Sequence, residues 1–379
     1  MKIVFNGITN RSGGAVQNCT NFILHSLADA ESTLQWCYLI NTPIATNLIS
    51  KLQDLDGDDR FIIVDEHPAR SKRVRRTVKA LIADENIDMV YTMAGPAYVN
   101  FGVPHVMGCS QPYVTHAKIE NYLSRGFLNG MRTIVSSLYK SYSFRNCDHL
   151  VFQTASSRDG FVRRFGWEMS KTSVISNAIG QSFTQFSEVP AVKLLTHSST
   201  KRILVPSAYY PHKNLEIIVP TAAALKQKLN TNFEFVLTIP FDEKWDNMKR
   251  SAENYDVANN VINIGTYVTA EAPRLYADAT LIFLPTRLET FSTTYLEALW
   301  TGTPVVTSDL PFARNICGDS AKYTNTLDPE KCADMIYSLT TDETLYRDLS
   351  EKGSARVLDF PNSMQRYNAI TELLKTFAA

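Results

Sequence analysis

Short apolar runs recur along the chain, and longer stretches with helical period lie between most of them. Residues 2–6, 35–40, 60–65, 88–92, 104–108 and 148–153 are apolar runs, which predicts strands. Helical patterns fill intervals such as 15–30 and 156–165, the second closed by Gly166. Strand and helix in alternation is the rhythm of a parallel sheet. Residues 181–200 are polar and irregular and read as a linker. The rhythm then resumes, with strands at 202–206, 233–239, 261–264 and 281–284 and helices at 243–255, 346–360 and 362–377. The pattern predicts an α/β protein of two doubly wound domains, 1–180 and 201–361, consistent with a length too great for one ordinary core. Within the first domain, 117–145 carries Leu123, Phe127, Leu128, Met131, Ile134, Val135 and Leu138 at helical spacing. That stripe reads as the core-facing side of one long helix, and a membrane-facing rim is the other reading.

The rest of the chain is organised around 281–309, which reads as strand, loop, helix, turn, strand. Leu281 to Leu284 is a buried-strand run closed by Pro285. Ser292, Thr293 and Thr294 offer cap chemistry for a helix through Leu299, and Gly302 ends it. Glu289 stands before this helix and Glu297 inside it. The backbone N–H groups of Phe291, Ser292, Thr293 and Thr294 would point out of the helix end, where free donors and the macrodipole stabilise an anion. A phosphate-bearing ligand could sit there, with a carboxylate on either side for sugar hydroxyls.

Composition narrows the partners. Lys plus Arg and Asp plus Glu number 38 each, so no overall field favours nucleic acid. The six cysteines are scattered without a Cys-x-x-Cys pair, which suits neither a zinc site nor a secreted disulfide scaffold and fits a reducing cytoplasm. The opening MKIVFNG reads as a strand rather than a signal peptide, and no stretch reaches the length of a membrane span.

Several local features offer chemistry. The loop 7–14 ends in Gly13-Gly14 between a strand and a helix, the arrangement that cradles phosphate in doubly wound domains; Arg11 lies in the same loop. The acidic cluster at 54–59 lacks the closing Glu of a calcium loop and reads as a solvated turn. Arg70, Lys72, Arg73, Arg75, Arg76 and Lys79 form a basic helix, either a plain exposed face or a surface for anionic lipid headgroups. Interleaved aromatics, which would suggest nucleic acid, do not accompany it. His105 lies inside a strand and reads as a packed residue. His116 follows the strand 104–108 and reads either as helix-start surface or as a site residue able to hydrogen-bond a sugar hydroxyl or phosphate.

Glu289-x7-Glu297, followed by Ala298 and Gly302-Thr303-Pro304-Val305-Val306, resembles the signature of the retaining glycosyltransferases of family 4. The resemblance covers the whole chain in architecture, but its specific motifs lie almost wholly in the second half. It implies the GT-B fold, two Rossmann-like domains facing a central cleft, with the last helix packing back on the first domain. It implies that Glu289 contacts the donor sugar, that Glu297 binds the ribose, and that the turn between them holds the diphosphate. By the same resemblance Gly13 and Gly14 face donor phosphate and acceptor, and Thr266 and Tyr267 contact the nucleotide base. Lys213-Asn214 matches a Lys-Asn pair whose cation neutralises the leaving diphosphate. The family's accompanying Arg is absent, with Ser207 or Ala208 near its place; Arg287 is the candidate replacement. The family's His at the end of the fifth strand is replaced by Cys109 or Ser110, which leaves His116 as the candidate.

The implied function is transfer of a sugar from a nucleotide-diphosphate sugar to a glycan or lipid-linked acceptor with retention, without a cofactor or essential metal. The implied setting is surface polysaccharide or lipopolysaccharide assembly, in the cytoplasm or at the cytoplasmic face of a membrane. The alternatives are a nucleotide-sugar epimerase of the same fold and a non-catalytic nucleotide-sugar or glycan-binding protein.

Overall fold

The computed structural model describes residues 1–52, 60–123, 126–195 and 199–377; the acidic cluster at 54–59 lies outside them. The chain divides into two compact units, Met1–Asn177 with Ser363–Ala379, and Ala178–Asn362.

The first unit is built on β1 (Lys2–Asn6), β2 (Gln35–Ile40), β3 (Phe61–Ile63), β4 (Met89–Thr92), β5 (His105–Cys109), β6 (His149–Phe152) and β7 (Thr172–Val174). They form one parallel sheet in the order β3-β2-β1-β4-β5-β6-β7. Alternate residues serve opposite faces, as the period of two requires. Ile3 and Phe5 join Phe22, Trp36 and Tyr91 on one side, while Val4 joins Leu39, Val90 and Phe152 on the other. The terminal helix Ser363–Lys375 belongs to this unit: Tyr367 packs its ring 5.1 Å from Phe22 and donates to Asp29 Oδ2 at 3.0 Å.

The second unit is built on β8 (Thr200–Val205), β9 (Asn232–Leu237), β10 (Val261–Asn263), β11 (Leu281–Leu284), β12 (Val305–Ser308) and β13 (Ala321–Thr324), parallel in the order β10-β9-β8-β11-β12-β13. Of the stretch read as a linker, 181–200, the described residues include segments packed against this unit. The stretch contains the helix Gln181–Phe186, whose Phe183 is buried with its ring 5.3 Å from Tyr276. Ala191 N donates to Trp300 O at 2.8 Å, and a Cβ on Gly302, whose φ is +66°, would lie 2.4 Å from Ala191 O. Glycine is required there both by the left-handed backbone and by this approach.

The expected long helix at 117–145 is corrected in two respects. It is two helices, Ile119–Leu123 and Phe127–Ser143, the second capped by Gly126, which has a φ of +80°. Its apolar stripe also faces away from the core. Phe127, Leu128, Met131, Val135 and Leu138 are exposed, and the buried positions of Phe127–Ser143 are Gly130, Ser137, Ser141 and Ser143.

Candidate active site

In each sheet the strand order reverses beside the first strand of its unit, so the connections leave on opposite faces and open a crevice at the carboxyl ends. In the second unit the crevice lies between β8 and β11, and the two loops bordering it are 206–214 and 285–292. Arg287 N donates to His212 O at 2.7 Å, which ties the loops together. Lys213 closes a short 3-10 turn, Pro211–Lys213, and Asn214 follows in the left-handed conformation with φ 57°. Asn tolerates that conformation, and its side chain donates to Thr326 O at 2.7 Å, which anchors the turn.

The turn aims Lys213 across the crevice. Its Nζ lies 2.6 Å from Glu289 Oε2, and the two side chains retain only 16% and 17% of their exposure. The helix Thr293–Trp300 starts four residues beyond Glu289, and its N-cap Ser292 makes no side-chain capping bond. The helix is held by Tyr295, whose hydroxyl meets Thr307 Oγ1 at 2.8 Å on β12. A cation, a carboxylate and a helix N-terminus without a side-chain cap thus converge at one switch point. Together they can bind an anion and hydrogen-bond a polyhydroxylated group attached to it.

Glu297 lies one turn into the helix. Its Oε2 accepts from Tyr276 at 2.9 Å. Burial raises its pKa, while the hydrogen bonds from Tyr276 and Thr293 oppose that rise. Tyr267 in turn hydrogen-bonds Tyr276, and burial together with the Glu297 carboxylate pushes its phenol up to about 12. Tyr276 is fully buried on the helix Ala272–Asp278. Sequence reasoning missed it, since a tyrosine at an apolar position of a short helix carries no signal of what its hydroxyl will meet.

The other expected positions distribute as follows. Thr293 and Thr294 open the helix, with Thr293 hydrogen-bonded to Glu297. The Phe291 side chain is buried against Phe360, ring centroids 6.0 Å apart, so only its backbone is available to a ligand. Tyr267 is half-buried in the tyrosine chain rather than an open stacking platform, and Thr266 beside it is exposed. Among the described residues no carboxylate forms an ion pair with Arg287, which stands two residues from Glu289.

Gly13 and Gly14 stand in the first unit, at the corresponding switch point beside β1. They open the helix Gly13–Ala28, Gly13 has a φ of +58°, and a Cβ on either would meet nothing within 4 Å. His116 ends the short helix Pro112–Thr115, half-buried, with Nδ1 2.8 Å from Thr115 Oγ1. His105 is a packed residue: its ring spans Thr92 Oγ1 and Asn146 O, each at 2.8 Å, and burial lowers its pKa to about 4.

Residues 191–356 match the family of glycosyl transferases group 1. The second unit is a group 1 glycosyltransferase domain. Within it the switch-point residues Lys213, Glu289 and Glu297 all fall inside the matched segment. The chain is also similar to the O-antigen chain mannosyltransferase RfbU of Salmonella typhimurium, 22% identical over 184 residues. That match covers 48% of this chain and 48% of the relative, so it spans about half the length of that protein. The fold extends over the full chain. A glycosyltransferase structure from Rickettsia africae matches with a TM-score of 0.72 and 15% identity, covering 100% of this chain and 98% of the other. The structure of Anabaena HepE in complex with UDP-glucose matches with a TM-score of 0.71 and 15% identity, covering 99% and 100%. The fold is therefore GT-B, with the group 1 domain as its second Rossmann-like unit and a seven-stranded Rossmann-like unit as its first.

Proposed function

We propose that the chain transfers a sugar from a nucleoside-diphosphate sugar to a hydroxyl of a glycan or lipid-linked acceptor, with retention at the anomeric carbon. The observation that carries this reading is the juxtaposition of Lys213, Glu289 and the N-terminus of the helix Thr293–Trp300 at the β8/β11 switch point. The donor diphosphate lies on the helix N–H groups of Ser292, Thr293 and Thr294, with Lys213 and Arg287 supplying positive charge. Glu289 hydrogen-bonds the sugar, and Glu297 the ribose. Thr266 and Tyr267 border the base, and Gly13, Gly14 and His116 belong to the first unit's share of donor phosphate and acceptor.

In the chemical step the bond from the anomeric carbon to the diphosphate oxygen breaks, and its electron pair stays on the diphosphate. Lys213 and the helix end stabilise that charge as it develops. The acceptor oxygen bonds the anomeric carbon on the face the diphosphate leaves, and its proton passes to the departing phosphate oxygen. No enzyme nucleophile takes part, and the positive charge comes from side chains and backbone rather than a divalent ion. The similarity to a mannosyltransferase of O-antigen chains supports a role in surface polysaccharide or lipopolysaccharide synthesis. The likeness to a protein that binds UDP-glucose supports a nucleotide-sugar donor.

Thermal unfolding with UDP, GDP, ADP and dTDP in turn tests the donor half. A diphosphate present at a hundredfold over its Kd adds about 2.7 kcal/mol of stability. Stabilisation by one nucleotide that disappears in Lys213→Ala supports the reading. Stabilisation by none of them, or equal stabilisation of Lys213→Ala, overturns it.

A further inference from the structure

We infer that the loops at the carboxyl ends of β1, β3, β4 and β5 form a seat for an acceptor saccharide that carries an anionic group, a carboxylate or a phosphate. The inference rests on the transfer reading for the ligand's role as acceptor, while the seat itself belongs to the first unit alone. Arg11 follows β1, His67 follows β3, Tyr98 follows β4 and Gln111 follows β5. Tyr139 and Lys140 meet them from the helix Phe127–Ser143. Tyr98 lies between two rings: its centroid is 5.5 Å from that of His67 and 5.6 Å from that of Tyr139, on which it stacks. Its φ of +60° is one that a residue with a side chain adopts only at a cost. Tyr139 is 50% exposed, so part of this aromatic stack is open to solvent. Lys140 Nζ donates to Gln111 Oε1 at 3.2 Å beside it. The crevice outside the carboxyl ends of a parallel sheet is where such folds take ligands. Aromatic faces with a few polar groups around them suit a sugar, which has apolar C–H faces and a polar edge.

Charge narrows the saccharide. Burial lowers the pKa of His67, and Arg11, Arg70 and Lys140 are close enough to lower it further. Among the described residues no carboxylate forms an ion pair with any of these three cations. Two of them rest on neutral oxygens instead. Arg11 donates from Nη2 to the Asp65 carbonyl, and its Nε is buried without a partner. Lys140 is half-buried on the Gln111 amide, and burial lowers its pKa. The acidic residues just before His67 are engaged elsewhere. Asp65 accepts from Thr42 N at 2.8 Å and Thr42 Oγ1 at 2.6 Å, and Glu66 accepts from Arg73 at 3.0 Å. His67 Nδ1 accepts from Ala69 N at 3.1 Å, so the neutral ring carries its proton on Nε2, a donor with no partner among the described residues. Cations drawn partly out of water onto neutral partners leave charge to be compensated, and an anion compensates it. A carboxylate or phosphate on the sugar meets Arg11, Lys140 and His67 Nε2 while the pyranose lies against the tyrosines.

Saturation-transfer NMR on the full chain tests the seat with methyl β-glucuronide, glucose 1-phosphate and the neutral methyl β-glucoside, and with inorganic phosphate as competitor. The expected result is binding of the glucuronide, the sugar phosphate or both, on the order of 10-fold tighter or more than the glucoside. Which of the two responds identifies the anionic group. Lys140→Met should weaken that binding on the order of 10-fold while Tm holds or rises, because it removes a cation that burial penalises. A merely structural lysine would lower Tm and leave binding alone. Tyr98→Asn, which tolerates the left-handed backbone, should weaken every saccharide alike. Equal binding of the neutral glucoside, no binding of any saccharide, or displacement by inorganic phosphate as effective as by the sugar phosphate overturns the inference. Stabilisation by nucleoside diphosphate is read on the same samples. If it is present in wild type and in Lys140→Met while no anionic saccharide binds, this inference fails and the transfer reading stands. If it is lost in Lys140→Met, the cations serve the donor and the inference is overturned. If it is absent from wild type, the transfer reading fails, and saccharide binding then stands without the role of acceptor.

Discussion

Lys213 Nζ and Glu289 Oε2 lie 2.6 Å apart across the β8/β11 crevice, so the two groups with the most direct roles in the proposed reaction are paired with one another. Each keeps the other's charge compensated in a largely enclosed position, and the pairing fixes both side chains where the diphosphate and sugar would arrive. Donor binding must divide the pair: the cation turns to the phosphate and the carboxylate to the sugar hydroxyls. Removing the cation should lower kcat by about 10² to 10³, the usual loss for one positioned group facing developing charge. Lys213→Ala and Glu289→Gln should each show this in initial rates of nucleotide release with near-native far-UV circular dichroism. Wild-type rates in a folded Lys213→Ala protein would exclude its role.

Glu297 gives a stability signature of the opposite kind. Its pKa is raised above the ordinary 4.5 by burial, so the folded state binds the proton more tightly than the unfolded one. That contribution to stability is present below pH 4.5 and is lost as pH rises through the folded value. Glu297→Gln removes a carboxyl group whose charged form is penalised by burial. It should therefore raise the unfolding midpoint at pH 7 and leave it little changed near pH 4, while abolishing stabilisation by nucleoside diphosphate. A midpoint that falls at pH 7 would show that the charged form is better compensated than its surroundings suggest.

Tyr276→Phe isolates a positioning residue. The hydroxyl donates to Glu297 Oε2 and helps hold its pKa down, so its loss should raise that pKa further. The expected result is a KM for donor that rises more steeply on the acidic side in the variant than in the wild type, with kcat at high pH little altered. A purely structural tyrosine would lower Tm without moving the pH profile.

His105 links the first unit's stability to acid. Its pKa is lowered to about 4 by burial between Thr92 and Asn146. The unfolded state protonates first, so the stability it contributes is present above pH 6.5 and is lost as pH falls through about 4. The span corresponds to about 3 kcal/mol. His105→Gln should be less stable at neutral pH yet lose less stability between pH 6.5 and 4, read from Tm against pH.

Gly302→Ala tests the turn behind the signature helix. The left-handed backbone costs a residue with a side chain roughly 1–2 kcal/mol, and the 2.4 Å approach to Ala191 O adds to it. A fall of several degrees in Tm is expected, with the second unit's transition affected more than the first's.

Much of this protein is legible in its sequence because the signals are local. Apolar runs closed by Pro or Gly locate the strands, and cap residues locate the helix Thr293–Trp300. Glu289, Glu297 and Lys213 are recognisable because the motifs they stand in resemble those of the family 4 glycosyltransferases, which spacing alone would not single out. What joins distant segments was decided by tertiary structure alone. Lys213 meets Glu289 because parallel pairing of β8 with β11 sets two loops side by side across 76 positions of sequence. Tyr276 meets Glu297 because a short helix packs its buried face on the signature helix. The helix Phe127–Ser143 makes the same point in reverse. Its period specifies that one face is apolar, and period carries no information about which face lies inside. That choice belongs to Gly130, Ser137 and Ser141, whose small side chains admit the close approach that bulkier residues on the outer face would prevent.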